Sequence, residues 1–330
     1  MSEQIRAVVF GGPALDTSST RVTAVALPEP GKGELSIDVQ FAGINFKDVM
    51  VRRGDGPYVT SWPYVPGIEV AGAVRALGPG VDGFRLGQPV VAYMNDGGLA
   101  EVAVASAALT VPVPDGLDLA AAAAAPGALT TAVLLLEHGR LRAGDSVLVH
   151  SAAGAVGQAV VRLARLAGAG PVLAAVGSPS RASAAEAAGY DRAFVREPQL
   201  AQAVREHLGG SGVDLILDPQ GTTQLDADLD MAAAAGRVVL FGNATGEPFG
   251  QLPPAGRLYA GTVSVGGFSL AALSARAPWL LAAGLSRTVA QLAAGELDPR
   301  ITIVDGLDAA PAAQQALAES RASGKQVVRL

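Results

Sequence analysis

A short turn rich in small residues is the part of this sequence best suited to hold a phosphate. It reads HSAAGAVG over residues 150–157, between the apolar run 146–150 and an Ala- and Leu-rich segment that extends to residue 167. This order predicts a strand, a tight turn and the start of a helix, in which Gly154 closes the turn and Gly157 lets the helix pack against the strand. The free amides at the helix start then face an anion such as a pyrophosphate. These amides belong to Gly154, Ala155, Val156 and Gly157.

The dinucleotide fingerprint G-x-G-x-x-G is matched in part, since Ala152 stands at its first glycine.

Sites for NAD usually have an acidic residue after the second strand, here 172–176, but the residues that follow are Gly-Ser-Pro-Ser-Arg. Ser178 and Arg181 suit a 2′-phosphate, because a guanidinium donates two hydrogen bonds to phosphate oxygens. Arg196 follows the next strand and can face the same phosphate. We therefore predict NADPH rather than NADH; the alternative is that Arg181 only begins a solvated helix.

Composition narrows the class of protein. The chain has 330 residues, of which 50% are hydrophobic and 16% are charged, and its formal net charge is −6. The length favours about two domains. The acidic balance argues against nucleic acid as a partner, and the apolar content argues against disorder. The sequence has no cysteine and three histidines, so we expect neither disulfides nor a metal site built on thiolates or imidazoles.

Two segments bear on the location of the protein. Residues 1–9 carry charges and lack the longer apolar h-region of a signal peptide, so no secretory signal is expected and a cytoplasmic location is the default. Residues 119–136 are uncharged and long enough to cross a bilayer, but they are rich in Ala and interrupted by Pro126-Gly127. We interpret them as a buried helix pair at a domain junction and expect no membrane span.

The pattern of apolar runs changes near residue 118. Before it, short runs separated by Pro, Gly and Asp predict a small, barrel-like antiparallel domain with strands at 6–10, 34–42, 69–77, 88–93 and 100–104. After it, helical segments alternate with short buried strands at 146–150, 172–176, 192–195, 215–218, 237–241 and 262–265. Such alternation favours a parallel, doubly wound sheet covered by helices on both faces. The segment from residue 270 returns to helix and ends in a strand at 326–330.

Several motifs resemble those of one enzyme superfamily in their order. They are AGINFKD at 42–48, VPGIEVAG at 65–72, GQPV at 87–90, GLAE at 98–101, the segment 141–153 with the glycine turn, DLILD at 214–218, GRVVLFGN at 236–243 and GK at 324–325. Together they are similar to the medium-chain dehydrogenase/reductase superfamily, and in particular to its zinc-free quinone oxidoreductase and enoyl reductase branch. The resemblance covers nearly the whole chain.

This resemblance implies an α/β fold with two domains. A GroES-like, β-rich catalytic domain is formed by residues 1–122 and 265–330, and a doubly wound Rossmann domain that binds NADP is inserted at 123–264. Members of the family usually dimerise through the edges of their nucleotide-domain sheets, so a homodimer joined at the strand 262–265 is expected.

The same resemblance argues against zinc. Zinc-bearing members carry a Cys near the position of Asn45 and a Gly-His-Glu where this chain has Gly67-Ile68-Glu69. Because the Cys and the His are both replaced, we expect no metal.

Further cofactor contacts rest on the resemblance alone. The residues are Asn45 beside the nicotinamide, Thr130 at the nicotinamide amide, Gly242 and Asn243 over the dinucleotide, Phe268 near the nicotinamide, and Gly324 and Lys325 from the C-terminal segment. Plain turn formation is the alternative for the glycines. For Phe268 the alternative is core packing, and for Lys325 it is a solvated surface charge.

Hydride transfer requires a group that stabilises or protonates the oxygen on which negative charge grows. The resemblance places Asn45 in the site, where its amide N–H can donate to that oxygen; the alternative is a loop Asn bonded to local backbone. Lys47, Tyr64 and Tyr93 are further candidate donors, each with solvation or packing as the alternative. Some relatives have a Tyr where this chain has Met50, so a donor is missing at that point, and water is another source of the proton.

Two functions stay open at this point. The first is an NADPH-dependent, zinc-independent reductase of a quinone or an α,β-unsaturated carbonyl, including an enoyl thioester of the kind reduced in polyketide tailoring. A substrate carried on a carrier protein or coenzyme A favours a basic patch, for which Lys47, Arg52 and Arg53 are the candidates. The second is an NADPH-binding protein with a structural or sensor role and no catalysis.

Overall fold

The structure is a computed structural model that describes residues 3–55, 58 and 61–330. The chain divides into two compact units. The first contains both ends of the sequence, Met1–Thr130 and Leu270–Leu330, and the second is the inserted segment Thr131–Ser269. The domain bounds expected from the sequence, after residues 122 and 264, stay a prediction.

The strands and helices follow one another along the chain without an internal repeat. In chain order the strands are β1 Gln4–Phe10, β2 Thr20–Ala26, β3 Glu34–Gly43, β4 Glu69–Leu77, β5 Pro89–Tyr93, β6 Val102–Ser106, β7 Thr110–Pro112, β8 Val147–His150, β9 Val172–Val176, β10 Arg192–Val195, β11 Val213–Asp218, β12 Ala232–Leu240, β13 Ser264–Gly267, β14 Ile301–Asp305 and β15 Lys325–Arg329. The helices are α1 Phe46–Arg53, α2 Leu119–Ala122, α3 Thr130–His138, α4 Ala155–Leu166, α5 Pro179–Ala187, α6 Leu200–His207, α7 Leu225–Met231, α8 Ala255–Gly261, α9 Leu270–Arg276, α10 Pro278–Ala293 and α11 Ala310–Ala318. A π-helical turn, Ala125–Leu129, stands between α2 and α3.

The first unit is built on a seven-stranded sheet in the order β14-β15-β3-β4-β5-β7, with β6 also paired to β3 and a separate pair β1–β2. The pairs among the strands before residue 118 are antiparallel, as expected, whereas β14 pairs with β15 in parallel in the C-terminal segment. The predicted strands omit β2, β7 and β14. The reason is that most residues of β2 and β14 are exposed, and β7 has three residues and ends in a proline.

The second unit is a six-stranded parallel sheet in the order β10-β9-β8-β11-β12-β13. Every residue of β8 and β9 is buried, as expected for strands covered on both faces. The predicted doubly wound sheet is thereby confirmed. The strand order reverses between β8 and β11, and the carboxyl ends of strands at such a reversal are where ligands bind in this class of sheet.

The uncharged segment 119–136 falls in α2, the π-helical turn and α3, and it is buried over most of its length. The Asp118 carboxylate begins α2, because it accepts a hydrogen bond from the Ala121 amide at 2.8 Å. Pro126 and Gly127 lie in the π-helical turn. Across the ranges that the structure describes, no helix is long and apolar enough to cross a membrane.

Candidate active site

The start of α1 is fixed by a buried carboxylate. Asp48 is 1% exposed, and its two oxygens accept from the backbone amides of Asn45 at 2.8 Å and Gly67 at 3.1 Å. Burial raises the pKa of Asp48 to about 6, although these two amides and the positive charge of Lys325 act in the opposite direction. Asp48 therefore ties the first turn of α1 to the loop that precedes β4.

The Asn45 side chain is fully engaged with its neighbours. Its Nδ2 donates to Glu69 Oε1 at 2.7 Å and to the Gly43 carbonyl at 3.2 Å, and its Oδ1 accepts from Lys325 Nζ at 2.8 Å. Both amide hydrogens are used, so this geometry leaves none for a substrate oxygen. The predicted role of Asn45 as a hydrogen-bond donor in catalysis stays a prediction, and the arrangement agrees with the alternative of a locally bonded loop Asn.

Lys325 is not a solvated surface charge, so that alternative is wrong. Its side chain is 3% exposed, and Nζ forms an ion pair with Glu69, whose side chain is 0% exposed. Glu69 also accepts from the Gly127 amide at 2.6 Å. Glu69 was not among the site residues predicted from the sequence. The signal that could have singled it out is an acidic residue inside the otherwise uncharged run VPGIEVAG.

Three of the sequence-predicted proton donors meet at one loop residue, Asn95. Lys47 Nζ donates to the Asn95 carbonyl at 2.8 Å, and the Tyr64 hydroxyl donates to the same oxygen at 3.3 Å. The Tyr93 hydroxyl lies 3.5 Å from Asn95 Oδ1, and Asn95 Nδ2 lies 3.4 Å from Ser274 Oγ. The structure thus brings Lys47, Tyr64 and Tyr93 together. Nothing in the sequence distinguishes Asn95 from other loop asparagines.

The pKa shifts show which of these three groups is the best general acid. Burial lowers the pKa of Lys47, with Asp48 and Asp96 acting against the shift. Burial raises the pKa of both Tyr64 and Tyr93 well above the ordinary value of a phenol. A general acid works best when its pKa lies near the working pH. Lys47 is therefore the best placed of the three to give up a proton.

Arg52 and Arg53 do not form the basic patch for which they were candidates. Arg52 is fully buried and donates to the Leu15 carbonyl at 3.1 Å and to Gln315 Oε1 at 2.7 Å. Arg53 is held in an ion pair with Asp55. Both guanidinium groups have internal partners because α1 packs its charged end into the first unit.

Thr130 and Gly324 have structural tasks in this geometry. Thr130 is completely buried, and its hydroxyl donates to the Ala125 carbonyl at 2.8 Å. Gly324 has a φ of 66°, and a Cβ there would lie 2.4 Å from the Arg300 carbonyl oxygen. Turn formation alone requires the glycine. Their contacts with a cofactor stay predictions.

In the glycine turn of the second unit, the residue with a positive φ is Ser151 and not a glycine. Gly154 has a φ of −78° and ψ of 172°, which any residue can adopt, whereas Ser151 has a φ of 56°. The left-handed residue of the turn is therefore Ser151, while the Gly154 amide donates to the Ser151 carbonyl at 3.0 Å and a Cβ at Gly154 would lie 3.3 Å from that oxygen. Gly157 is required as expected, since a Cβ there would lie 2.3 Å from the Ala152 carbonyl oxygen.

The helix start after this turn fits a pyrophosphate. Gly154 is the N-cap of α4 and has no side chain to cap it, so the first amides of the helix, which include those of Ala155, Val156 and Gly157, lack a side-chain acceptor. Such amides carry the positive end of the helix dipole. The turn follows β8, at the reversal in strand order where ligands bind in this class of sheet.

The residues predicted for a 2′-phosphate gather at the carboxyl ends of β9 and β10. Ser178 is the N-cap of α5, with its Oγ 3.1 Å from Ser180 Oγ, and Arg181 lies in the first turn of the same helix. Arg196 Nη1 lies 3.5 Å from the Ala175 carbonyl oxygen. Its other Nη is close to Gly177, since a Cβ at Gly177 would lie 3.2 Å from it.

Gly242, Asn243 and Phe268 follow the neighbouring strands β12 and β13. Asn243 forms an isolated antiparallel bridge with Gln220, and its Nδ2 donates to the Glu247 carbonyl at 2.7 Å. The Phe268 amide donates to the Leu240 carbonyl at 2.8 Å. Gly242 and Phe268 are half-buried, and their predicted cofactor contacts stay predictions.

A buried set of titratable groups beside the glycine turn was missed by sequence reasoning. His150 Nε2 lies 2.9 Å from Asp228 Oδ1, and both side chains are 0% exposed. Burial raises the pKa of Asp218 and of Asp228 to about 7, and it lowers the pKa of His150 to about 4. Asp228 lies on α7 at a place where the sequence shows only a surface-like acidic pattern, LDADLD.

Comparison with known proteins supports a single family. The model for the alcohol dehydrogenase GroES-like domain matches residues 31–115, and the model for zinc-binding dehydrogenases matches residues 155–283. The chain is 38% identical to erythronolide synthase EryA2 of Saccharopolyspora erythraea over 90% of its own length, but it spans only 8% of that protein. It is 36% identical to the human synaptic vesicle membrane protein VAT-1 homolog-like, over 74% of this chain and 59% of that one.

Two further relatives are matched over more of their own length. Quinone oxidoreductase of Rattus norvegicus is 33% identical, with 72% of each chain covered. The solved structure of mycobacterial Rv1454c complexed with NADPH superposes with a TM-score of 0.89 at 31% identity, covering 99% of this chain and 100% of that one. The chain belongs to the medium-chain dehydrogenase/reductase superfamily, in its quinone oxidoreductase branch.

Proposed function

We propose that the chain is an NADPH-dependent reductase that transfers hydride to a quinone or an α,β-unsaturated carbonyl without a metal ion. Its relatives include a quinone oxidoreductase and the erythronolide synthase EryA2. The observation that carries the proposal is the cluster of Lys47, Tyr64 and Tyr93 around Asn95. It supplies an ammonium of lowered pKa in the unit that the resemblance assigns to catalysis.

NADPH, when bound, supplies the hydride. We assign its pyrophosphate to the amides at the start of α4 and its 2′-phosphate to Ser178, Arg181 and Arg196. Two guanidinium groups match a phosphate in charge and in hydrogen-bonding geometry. No acidic residue stands between residues 177 and 181 to repel it. The NADPH complex of the mycobacterial relative supports the same choice of cofactor.

Lys47 is assigned as the proton donor. When hydride adds to the electron-poor carbon of the acceptor, negative charge grows on the conjugated oxygen. One N–H of the ammonium is held by the Asn95 carbonyl, which orients the group, and an ammonium has two further N–H donors. One proton passes from Nζ to the oxygen of the reduced quinone, which gives the hydroquinone, or to the enolate oxygen of the reduced enone, which gives an enol that tautomerises to the saturated carbonyl; Nζ regains its proton from water. Tyr64 and Tyr93 hold Asn95 rather than act as acids, since their pKa values are raised.

The residues present at the candidate site support the proposal that the reaction needs no metal ion. The sequence has no cysteine. Among the residues that the structure describes, no group of three or more His, Asp or Glu side chains is arranged to hold a metal ion. The Glu69 carboxylate is paired with the Lys325 ammonium. We expect a chelator such as EDTA to leave the rate of NADPH oxidation unchanged.

A homodimer in the cytoplasm is part of the proposal. In the described part of the second unit, β13 pairs with β12 on one side and ends the sheet on the other. An unpaired strand edge is a ready template for a second chain. The mass in solution tests this point, and a strict monomer contradicts it.

The second candidate is an NADPH-binding protein without catalysis. The observation in its favour is Met50, which is buried in the core of the first unit and gives no proton donor where some relatives have a tyrosine. NADPH oxidation with a small benzoquinone and with a small cyclic enone separates the two candidates. Oxidation with either acceptor supports the reductase and indicates its substrate class; binding of NADPH without oxidation supports the second candidate.

A further inference from the structure

We infer that Glu69 and Lys325 are positioning residues, which set the place of Lys47 through the start of α1 and take no part in the chemistry themselves. The inference rests on the proposed function for the role of Lys47. The positioning roles of Glu69 and Lys325 are argued from the contacts within the first unit.

The Lys325 ammonium has no hydrogen left to offer. It donates to the Ile44 carbonyl at 2.8 Å and to Asn45 Oδ1 at 2.8 Å, and it forms the ion pair with Glu69. These contacts use the three N–H groups of an ammonium. At 3% exposure, Lys325 is also out of reach of a ligand in solution.

The Glu69 carboxylate is enclosed in the same way. It accepts from Asn45 Nδ2, from the Gly127 amide and from Lys325. Two glycines leave room for it, because a Cβ at Gly43 would lie 2.1 Å from Oε1 and a Cβ at Gly127 would lie 2.9 Å from Oε2. A site built so closely around one side chain holds that side chain in a single position.

This network joins segments that are far apart in sequence. Lys325 begins β15, Glu69 begins β4, Gly127 lies in the π-helical turn, and Asn45 is the N-cap of α1. Lys47 is the second residue of α1, two positions after Asn45. Because Asn45 is bound from both ends of its amide, the ion pair fixes the backbone from which Lys47 extends to Asn95.

The first arm of the test uses turnover. Lys325→Met and Glu69→Gln each leave a charge buried without its partner, whereas the double variant removes both charges and protects folding. We expect kcat with the benzoquinone to fall by about tenfold or more in the single variants while Kd for NADPH changes by less than about twofold. The kcat of the double variant should lie between the kcat of the single variants and that of the wild type. Lys32→Met, an exposed lysine, is the matched control and should keep the wild-type kcat.

Three results of this arm would overturn the inference. They are a wild-type kcat in a folded single variant, a wild-type kcat in the double variant, or a Kd for NADPH that weakens as much as kcat falls. The double variant decides the matter if the single variants do not fold. A wild-type protein that oxidises NADPH with neither acceptor counts against the proposed function instead.

The second arm needs no turnover. The chain has three lysines, Lys32, Lys47 and Lys325, so acetylation by acetic anhydride can be followed for each by mass spectrometry over a pH series. In the wild type, Lys47 should label with a lower pH midpoint than Lys32, because burial lowers its pKa. In the charge-neutral double variant the Lys47 midpoint should move up toward that of Lys32. An unchanged midpoint shows that the ion pair does not position Lys47 and overturns the inference whatever the activity.

Discussion

Lys325 and Glu69 form an ion pair in which neither side chain is more than 3% exposed, and the same ammonium donates to Asn45 Oδ1. A buried charge that loses its partner destabilises a protein by about 3–5 kcal/mol. Asn45, Glu69 and Lys325 are therefore held by one another. This arrangement separates two tasks within the motif Asn45-Phe46-Lys47-Asp48: the Asn and the Asp hold α1 in place, and the Lys reaches Asn95.

Replacement of Lys47 by Met should remove the proton donor. Loss of general acid catalysis costs about 10²-fold or more in rate, so we expect kcat to fall by that order while Kd for NADPH is kept. The wild-type rate should fall as pH rises through the lowered pKa of Lys47, because the deprotonated amine cannot act as an acid. A pH series of kcat checks both points. Lys47→Met with a wild-type kcat and pH profile would show that the proton comes from elsewhere, such as water.

Replacement of Arg181 by Glu should affect NADPH far more than NADH. The new carboxylate repels the 2′-phosphate, and the lost guanidinium contributes about 1.5–3 kcal/mol as a charged hydrogen-bond donor. We expect KM for NADPH to rise by about tenfold or more and KM for NADH to change little. Arg21→Glu, an exposed position in β2, carries the same change in net charge and is the control. Equal effects on both nucleotides would remove Arg181 from the phosphate site.

The buried carboxyls beside the glycine turn should make stability depend on pH. Asp218 and Asp228 have pKa values raised to about 7 in the folded protein, so the folded state holds protons that the unfolded state releases. Stability then falls as pH rises from about 4 through about 7. Asp228→Asn should flatten this fall and make the protein roughly 1–3 kcal/mol more stable than the wild type above about pH 8.

His150 acts in the opposite sense, since its pKa is lowered to about 4 and the unfolded state takes up the proton first as pH falls below the ordinary value. Urea unfolding at several pH values measures both effects. Asp115→Asn, at an exposed carboxyl, is the control and should follow the wild-type pH curve. An Asp228→Asn variant that loses stability at high pH would contradict the assignment of a protonated, buried carboxyl.

Replacement of Gly157 by Ala should disrupt the glycine turn. The new Cβ would lie 2.3 Å from the Ala152 carbonyl oxygen, so the start of α4 must move away from β8. Overpacking of this kind costs about 1–3 kcal/mol, and we expect it to weaken NADPH binding as well. Gly256→Ala in α8 is the matched control, because no atom lies within 4 Å of the added Cβ. Fluorescence titration with NADPH compares the two; equal affinities would mean that the turn is not a phosphate site.

Apolar runs along the sequence predicted the parallel sheet of the second unit. The parallel strands β8, β9 and β11 are short apolar runs buried on both faces, and such runs are visible in a sequence. The strands β2 and β14 were missed because most of their residues are exposed. Their place in the fold comes from pairing with neighbouring strands, which no local pattern records.

The candidate site was predicted in part, because the sequence shows the types of its residues but not which residues they contact. Lys47, Tyr64 and Tyr93 were singled out individually, but their meeting at Asn95 depends on loops brought together by the sheet. Lys325 was expected near the site or on the surface. Its burial against Glu69 joins positions that are separated by most of the chain, and a charge of this kind is identified only once the fold is known.

We propose that bound NADPH gives its hydride to an unsaturated, polarised acceptor. The most direct measurement is the loss of NADPH absorbance when pure protein is mixed with NADPH and either the benzoquinone or the enone, with the reduced acceptor identified by mass spectrometry. We predict oxidation with at least one of the two acceptors, an equal amount of reduced product, and a much slower reaction for Lys47→Met. Tight binding of NADPH with no oxidation in the presence of either acceptor would contradict the account.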